Sequence, residues 1–363
     1  MKKIKILYTI PNFDTAGSQK VVYDLVQGLD KSKFSPEILV KHRRGIFFKE
    51  VEKLNIPIHV FDYETSYKPF WSFPFRLLRV MRFFKSLNVD IIDSWHWSSD
   101  FSEPLAARLT GIKYVYTKKN MGWGNKAWIW KSKLSHQVIA INKDMITDFF
   151  NPIPSIKATY LPLSIDTDHY SPRSFNTTLA DQLEIKHKDF VVISVANLVP
   201  LKGLDILIRA FKKLDITHKK LIIVGNNENE YAKNLITTYK NHEVLFTGKK
   251  LDVRPYLSLS DVFCVPTLSI GEGQGLAPLE AMSMEIPVIG SRVSGITDIL
   301  EGFEDWLFEA GKVSELKEKL LQMNSLSEKE RKAIGQQMRK EVVEKYAFEQ
   351  FIKSREEIYE SVQ

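Results

Sequence analysis

Strand-like and helix-like segments alternate from the first residues to beyond residue 290, and this alternation restricts the possible folds more than any other feature. Ile4–Thr9 reads as a buried strand, and Lys20–Leu29 as a helix with Val21, Val22, Leu25, Val26 and Leu29 on one face. Ser35–Val40, Ile58–Phe61, Val89–Ser94, Tyr114–Thr117 and Val138–Asn142 continue the strand series, with a helix over Leu77–Leu87. Strands linked by helices run parallel, so the pattern predicts a parallel sheet covered by helices on both faces. Around Leu161–Arg173 it breaks into Pro162, Pro172 and small polar residues, which reads as a hinge. A second series follows, with strands at Phe190–Val195, Lys220–Val224, Val244–Phe246, Val262–Val265 and Val288–Ile289. Its helices are expected at Gly203–Leu214, Val253–Leu259 and Leu276–Met284. The fold class is therefore α/β, with domains at 1–168 and 181–346 and a linker at 169–180. A terminal amphipathic helix within 347–363 is available to pack back on the first domain. A chain of 363 residues suits two domains of ordinary size.

Charge divides unevenly between the halves. Residues 1–170 hold 25 Lys and Arg against 16 Asp and Glu, a balance of +9, whereas the rest of the chain carries −2. Such asymmetry points to an anionic partner for the first half. The one cysteine, Cys264, lies in the apolar run Val262–Val265, which suits a buried strand thiol and a reducing cytoplasm. The lysine-bearing start reads as a first strand and not as a leader, and no run of 18 or more apolar residues exists to cross a membrane.

The segment Asp261–Glu285, DVFCVPTLSIGEGQGLAPLEAMSME, carries the most chemistry. A buried strand ends at Val265-Pro266, a glycine-rich loop follows, and a helix begins near Gly275. Gly273 and Gly275 let backbone approach a ligand, and the free N–H groups of a helix start favour a phosphate. Glu272 precedes that helix and Glu280 lies within it, about 7–8 Å along the axis from Gly275. One ligand can therefore meet both carboxylates. Three readings compete. Gly271-x-Gly273-x-Gly275 with Arg292 partly matches a dinucleotide fingerprint, but Leu276 occupies the sixth position. A structural turn with solvated glutamates is the second. The third is a sugar-nucleotide site in which carboxylates accept hydroxyl hydrogens.

Glu272 and Glu280, separated by seven residues, together with Gly273-x-Gly275-Leu276 and Glu280-Ala281-Met282, resemble the E-x7-E motif of retaining GT-B glycosyltransferases, particularly family four (GT4). Further segments are similar in register: Ser194–Leu198 followed by Lys202-Gly203, Leu221–Gly225, Val244–Gly248, Pro287–Ser291 and Ser294-Gly295. Phe13–Lys20, with Gly17, is similar to the turn that opens the family's first helix. The resemblance implies a GT-B fold of two Rossmann-like domains with the active site in the cleft between them. It implies a metal-independent, retaining glycosyltransferase that needs no cofactor and uses a nucleotide diphosphate sugar as donor. Glu272 would hold sugar hydroxyls beside the backbone of Gly273, Gln274, Gly275 and Leu276, and Glu280 would hold ribose. Asn197 stands where the family carries an arginine, which makes Lys202 the main donor-facing cation; Gly17, Asn197 and Gly225 complete the donor set that the resemblance implies. Lys118-Lys119-Asn120 replaces a histidine common in the family. A sugar-nucleotide epimerase and a non-catalytic sugar-nucleotide-binding protein are the alternatives.

In the first domain, His96 and Lys119 follow strands at the edge where α/β sheets bind ligands. His96 either positions an acceptor hydroxyl and acts as base, or packs between Trp95 and Trp97. Lys119 either meets acceptor or donor phosphate, or is a surface lysine. Asp166-x-Asp168 resembles a metal-binding triplet but reads as a solvated turn. Tyr67–Leu87 mixes Trp71, Phe73, Phe75, Phe83 and Phe84 with Arg76, Arg79, Arg82 and Lys85. Lys118–Lys133 mixes Trp123, Trp128 and Trp130 with five lysines. Both suggest docking on an anionic membrane to reach a glycan or lipid-linked acceptor, as a cytoplasmic protein peripheral to the inner face of the plasma membrane. No motif supports nucleic-acid binding.

Overall fold

The computed structural model describes residues 2–14, 17–45, 47–123, 125–268 and 272–363. It comprises two compact units, Met1–Leu163 with Glu349–Gln363, and Ser164–Phe348.

The first unit is built on a seven-stranded sheet ordered β3-β2-β1-β4-β5-β6-β7. Its strands are β1 (Ile4–Thr9), β2 (Phe34–Val40), β3 (Ile58–Val60), β4 (Ile91–Ser94), β5 (Lys113–Lys118), β6 (Gln137–Ala140) and β7 (Ala158–Tyr160), and every pairing is parallel. The helices α1 (Gly17–Gly28), α2 (Phe73–Leu87), α3 (Ser102–Leu109) and α4 (Ala127–Leu134) belong to this unit. Helix α2 starts four residues before the expected Leu77, because Pro74 is well suited to a first turn. Strand β7 was not expected from the sequence. It is a half-buried edge strand of three residues with no apolar run to announce it.

The C-terminal helix Phe348–Val362 is pinned to this sheet by buried polar groups. Arg355 and Asp93, both 0% exposed, pair at 3.2 Å. Arg355 also donates to the Thr117 hydroxyl at 2.8 Å, and the Tyr359 hydroxyl donates to Asp93 at 2.5 Å. Burial raises the Asp93 pKa despite the guanidinium. A buried pair of this kind fixes one docking geometry, since losing either partner strands a charge.

The second unit holds a six-stranded sheet ordered β10-β9-β8-β11-β12-β13. Its strands are β8 (Phe190–Val195), β9 (Lys219–Val224), β10 (Val244–Gly248), β11 (Val262–Val265), β12 (Val288–Ser291) and β13 (Leu307–Phe308), again all parallel. Helices α5 (Leu204–Lys212), α6 (Leu276–Ser283) and α7 (Glu328–Lys345) matter most for the site. Helix α5 buries Leu204, Leu207, Ile208 and Phe211 against the sheet, and α7 opens with a Ser327–Glu330 capping box. In each unit the strand order reverses once, between β1 and β4 and between β8 and β11. Open α/β sheets bind ligands at the carboxyl ends of the strands at such a point.

Candidate active site

The loops leaving β8 and β11 flank the reversal point of the second unit, and they bring together Lys202 and Glu272. The Lys202 ammonium pairs with the Glu272 carboxylate, and the Thr267 hydroxyl donates to the same oxygen at 3.1 Å. Both side chains are mostly buried yet retain some exposure, 23% and 17%. Gly203 follows Lys202 at φ 62°, and a Cβ there would lie 2.0 Å from the Pro266 carbonyl. Only glycine lets the two loops close on each other at that point. Gly295 does the same from the loop after β12: a Cβ would meet the carbonyls of Gly273 and Glu272 at 2.6 and 2.8 Å. The Glu272 amide donates to the Ser294 carbonyl at 3.1 Å, so the Glu272–Gly275 turn is held against a second loop. Gly275 is the N-cap of α6, and Leu276 is its first residue. Gln274 is buried, whereas Asn197 is exposed and its side chain makes no hydrogen bond among the described residues. The Gly225 amide ends β9 by donating to the Gly248 carbonyl at 3.2 Å.

Glu280 is half-buried on α6. The Tyr170 hydroxyl hydrogen-bonds to it, and burial together with this carboxylate raises the tyrosine pKa. The Tyr170 carbonyl accepts from Ser283 Oγ at 2.7 Å and from Arg339 at 3.1 Å, which fastens residue 170 to the end of α6. Beside it, Arg254 pairs with Asp252 at 2.7 Å and donates to the His169 carbonyl at 3.2 Å. Asp166 caps this turn by accepting from the amides of Asp168 and His169.

In the first unit, His96 is 5% exposed. Its Nδ1 lies 2.7 Å from Glu64 Oε1 and 3.1 Å from the Ser98 amide. At the shorter distance Nδ1–H donates to the carboxylate, leaving Nε2 with no hydrogen bond among the described residues. The ring packs between Trp97 and Tyr63, while Trp95 is fully buried. Glu64 also accepts from Lys41 at 2.8 Å. Burial alone would raise its pKa, but His96 and Lys41 more than offset this and hold it at about 2.

Lys119 is no surface lysine: its ammonium donates to the Trp95 carbonyl, the residue before His96. Lys118, 1% exposed, donates to Asn120 and to the Gly122 carbonyl at 2.6 Å each and lies 3.7 Å from the Trp123 ring. Burial, reinforced by Lys131, pulls both ammoniums down to about 7. Lys131 is itself buried, donating to the carbonyls of Ser98 and His96.

Several expectations change on these grounds. Trp123 stacks on Trp128 at 4.3 Å, so in 118–133 only Trp130 is a strongly exposed aromatic residue. Arg76 is consumed by the loop beneath it, donating to Thr65 Oγ1 and to the carbonyls of Ser66, Lys68 and Pro69. It is therefore not a free surface cation. Gly17 begins α1, while its neighbour Ala16 and Gly271 of the dinucleotide pattern lie outside the described residues. Arg292, the other element of that pattern, pairs with Glu309 at 2.9 Å. Cys264 is a buried strand thiol whose pKa burial raises. Glu64, Lys41, Thr267 and Tyr170 were not singled out from sequence. The partners of Glu64, Lys41 and Tyr170 lie 23 or more residues away, and Thr267, five residues before Glu272, belongs to no pattern that marks it.

Residues 15–169 match the family described as Glycosyltransferase Family 4, and residues 175–341 match Glycosyl transferases group 1. The chain is 29% identical over 236 residues to N-acetyl-alpha-D-glucosaminyl L-malate synthase of Bacillus anthracis, spanning 63% of this chain and 56% of that protein. It is 25% identical over 258 residues to a UDP-Gal:alpha-D-GlcNAc-diphosphoundecaprenol alpha-1,3-galactosyltransferase of Escherichia coli, covering 64% and 66% of the two chains. Matches to these and other curated relatives span 40 to 66% of their length. Among solved structures, a glycosyltransferase from Rickettsia africae superposes with TM-score 0.86 at 18% identity, over 100% of this chain and 99% of that one. Anabaena HepE, solved with UDP and glucose, superposes with TM-score 0.83 at 19% identity over 99% and 100%. The two family matches leave only the ends and a few residues near 170 uncovered, and the chain belongs to the GT4 glycosyltransferases of GT-B fold.

Proposed function

We propose that this glycosyltransferase moves a sugar from a nucleoside diphosphate sugar to a glycan or lipid-linked acceptor, with retention of configuration and without a metal. The carrying observation is the Lys202–Glu272 pair beside the start of α6. When the bond from the sugar C1 to the diphosphate breaks, negative charge builds on the departing oxygen. An ammonium and a helix N-terminus stabilise that charge in a partly desolvated site. Glu272 accepts hydroxyl hydrogens of the sugar and Glu280 those of ribose. The acceptor oxygen forms its bond to C1 on the face the diphosphate leaves, and its proton passes to the departing phosphate. Retention is supported by relatives named for alpha-linked products, one of them with a UDP-sugar donor.

A membrane-bound acceptor is supported by the surface of the first unit. Phe70 and Trp71, in the 3-10 turn before α2, and Phe75 on α2 are 68, 78 and 73% exposed, with Arg82 and Lys85 exposed further along α2. No helix among the described residues is long and apolar enough to cross a membrane.

Product analysis tests the reading. Nucleoside diphosphates that raise the melting temperature identify the base, since a ligand at 100 times its Kd adds about 2.7 kcal/mol. The matching sugar donors are then incubated with membrane lipid extract in EDTA. An alpha-glycosylated product supports the proposal. Epimerised donor, or binding without turnover, refutes it, and activity that EDTA abolishes and Mg²⁺ restores refutes the metal-free part.

A further inference from the structure

The loop after β3, the loop between β4 and α3, and the start of α4 enclose a pocket of about 440 Å³ at the carboxyl edge of the first sheet. That volume lies in the ~300–1,000 Å³ range of small-molecule sites. Among its lining residues, Asp62, Glu64 and Asp100 outnumber one cation, Lys41, which is bound to Glu64 at 2.8 Å and Asp62 at 3.5 Å; behind the lining, His96 pairs with Glu64 and Lys131 donates to the Ser98 carbonyl at 2.9 Å. An anion would meet three carboxylates at the lining, while the nearby cations are already engaged by carboxylates or carbonyls, so the lining disfavours phosphates and carboxylates.

Two polar groups in the lining have unused capacity. Asp100 Oδ1 accepts from the Ser102 amide at 2.8 Å and from the Ser102 hydroxyl, but Oδ2 makes no hydrogen bond among the described residues. Burial raises the pKa of this carboxyl, which is the signature of an under-solvated acceptor. Asn125 uses Oδ1 to accept from Ser99 Oγ at 3.0 Å and from the Ala127 amide at 2.8 Å, leaving both Nδ2 hydrogens unused. One wall is aromatic: the rings of Tyr67 and Phe101 lie 6.1 Å apart at 30°. A free carboxylate oxygen, a free amide donor and an aromatic wall match a pyranose. Its adjacent hydroxyls each donate and accept, and one of its faces is apolar.

We propose that this pocket is the acceptor subsite and takes a neutral, hydroxyl-rich sugar ring, with Asp100 accepting from one hydroxyl and Asn125 donating to its neighbour. Tyr67 also meets Phe70, with ring centroids 5.6 Å apart, so the pocket rim runs into the exposed aromatic ridge of Phe70, Trp71 and Phe75. An acceptor with a sugar head and an apolar tail fits both surfaces at once. That the bound ring is an acceptor rests on the transferase reading; that a neutral sugar binds here does not.

Saturation-transfer NMR on the full chain without donor tests binding directly. The probes are the methyl α-glycosides of glucose, galactose, mannose and N-acetylglucosamine, with inorganic phosphate and succinate as anionic competitors. At least one glycoside should show saturation transfer, unaffected by either anion. Asp100→Asn keeps the cap on Ser102 but turns the free acceptor into a donor, and should weaken binding about tenfold or more, as does losing a hydrogen bond to a charged group. Asn125→Ala should weaken it independently, with nucleoside diphosphate binding unchanged in both variants. Absence of binding by the whole glycoside panel, displacement of the glycoside by phosphate or succinate, or full binding in both variants would overturn the proposal. If glycosides bind as stated but no donor sugar is ever transferred, the sugar site stands and the transferase reading fails. If wild type transfers sugar and Asp100→Asn does so at an unchanged acceptor KM, the acceptor assignment fails alone.

Discussion

Lys202 and Glu272, 70 residues apart in sequence, form an ion pair at the point where the strand order of the second sheet reverses. On the proposed function, the diphosphate would compete for Lys202 and the sugar hydroxyls for Glu272. Binding of a nucleoside diphosphate sugar there would exchange one charged contact for two.

That exchange separates the roles of the two residues. Lys202→Ala should weaken nucleoside diphosphate binding by about 1.5–3 kcal/mol, the range for hydrogen bonds to charged groups. Glu272→Gln releases the lysine and should bind the sugar-free nucleoside diphosphate as tightly as wild type or tighter, while turnover falls. Isothermal titration beside a turnover assay reads both. Weaker diphosphate binding in Glu272→Gln would show that the pair stays closed around the ligand.

On the proposed function, Tyr170 and ribose compete in the same way for Glu280. Glu280→Ala should lose about 1.5–3 kcal/mol of nucleotide affinity. Tyr170→Phe removes the hydroxyl that holds Glu280 in the free protein, so titration should show affinity equal to or above wild type. A drop in Tyr170→Phe would mean that this hydroxyl contacts the nucleotide itself.

Stability should rise with pH across the range set by the buried lysines. Lys118 and Lys119 titrate near 7 when folded and near 10.4 when unfolded. Between those values the unfolded chain binds more protons, so unfolding free energy increases from about pH 7 to about pH 10. Below pH 7 both states are protonated, and the cost of burying the charges is fully present. Urea midpoints across this window should climb, and Lys118→Met should reduce the lysine-linked slope, leaving the share of Lys119 and the other buried lysines. An unchanged slope in that variant would show that Lys118 ionises as it does in water.

Vesicle binding should follow the exposed ridge and not the whole basic half. Trp71→Glu with Phe75→Glu should abolish sedimentation with anionic liposomes. Arg82→Glu should weaken it by roughly 1 kcal/mol or more, the scale of one cation near an anionic surface. Lys118 and Lys131 are buried, so their replacement should act through stability alone. Equal recovery of wild type in the supernatant with neutral and anionic vesicles at low salt would remove the membrane from the proposal.

The sequence by itself determined the two parallel α/β units, because a buried parallel strand needs a continuous apolar run and a covering helix needs an apolar face. β1, β8 and β11 fall on the residues expected of them. The positions of Glu272 and Gly275 at a strand-to-helix turn, with Glu280 in the helix that follows, were legible for a related reason: short spacing sets them around one turn. Weak edge elements such as β7 and β13 were not legible, since three and two residues carry no period. Tertiary structure alone decided the partners. Nothing near His96 announces Glu64, and nothing near Asp93 announces Arg355 262 residues away. The same holds for the burial of Lys118 and Lys131 and the tethering of Arg76, which take those cations out of the surface charge that composition counts. A parallel sheet sets distant strand ends side by side, so the contacts that define each site belong to sheet order and not to chain order.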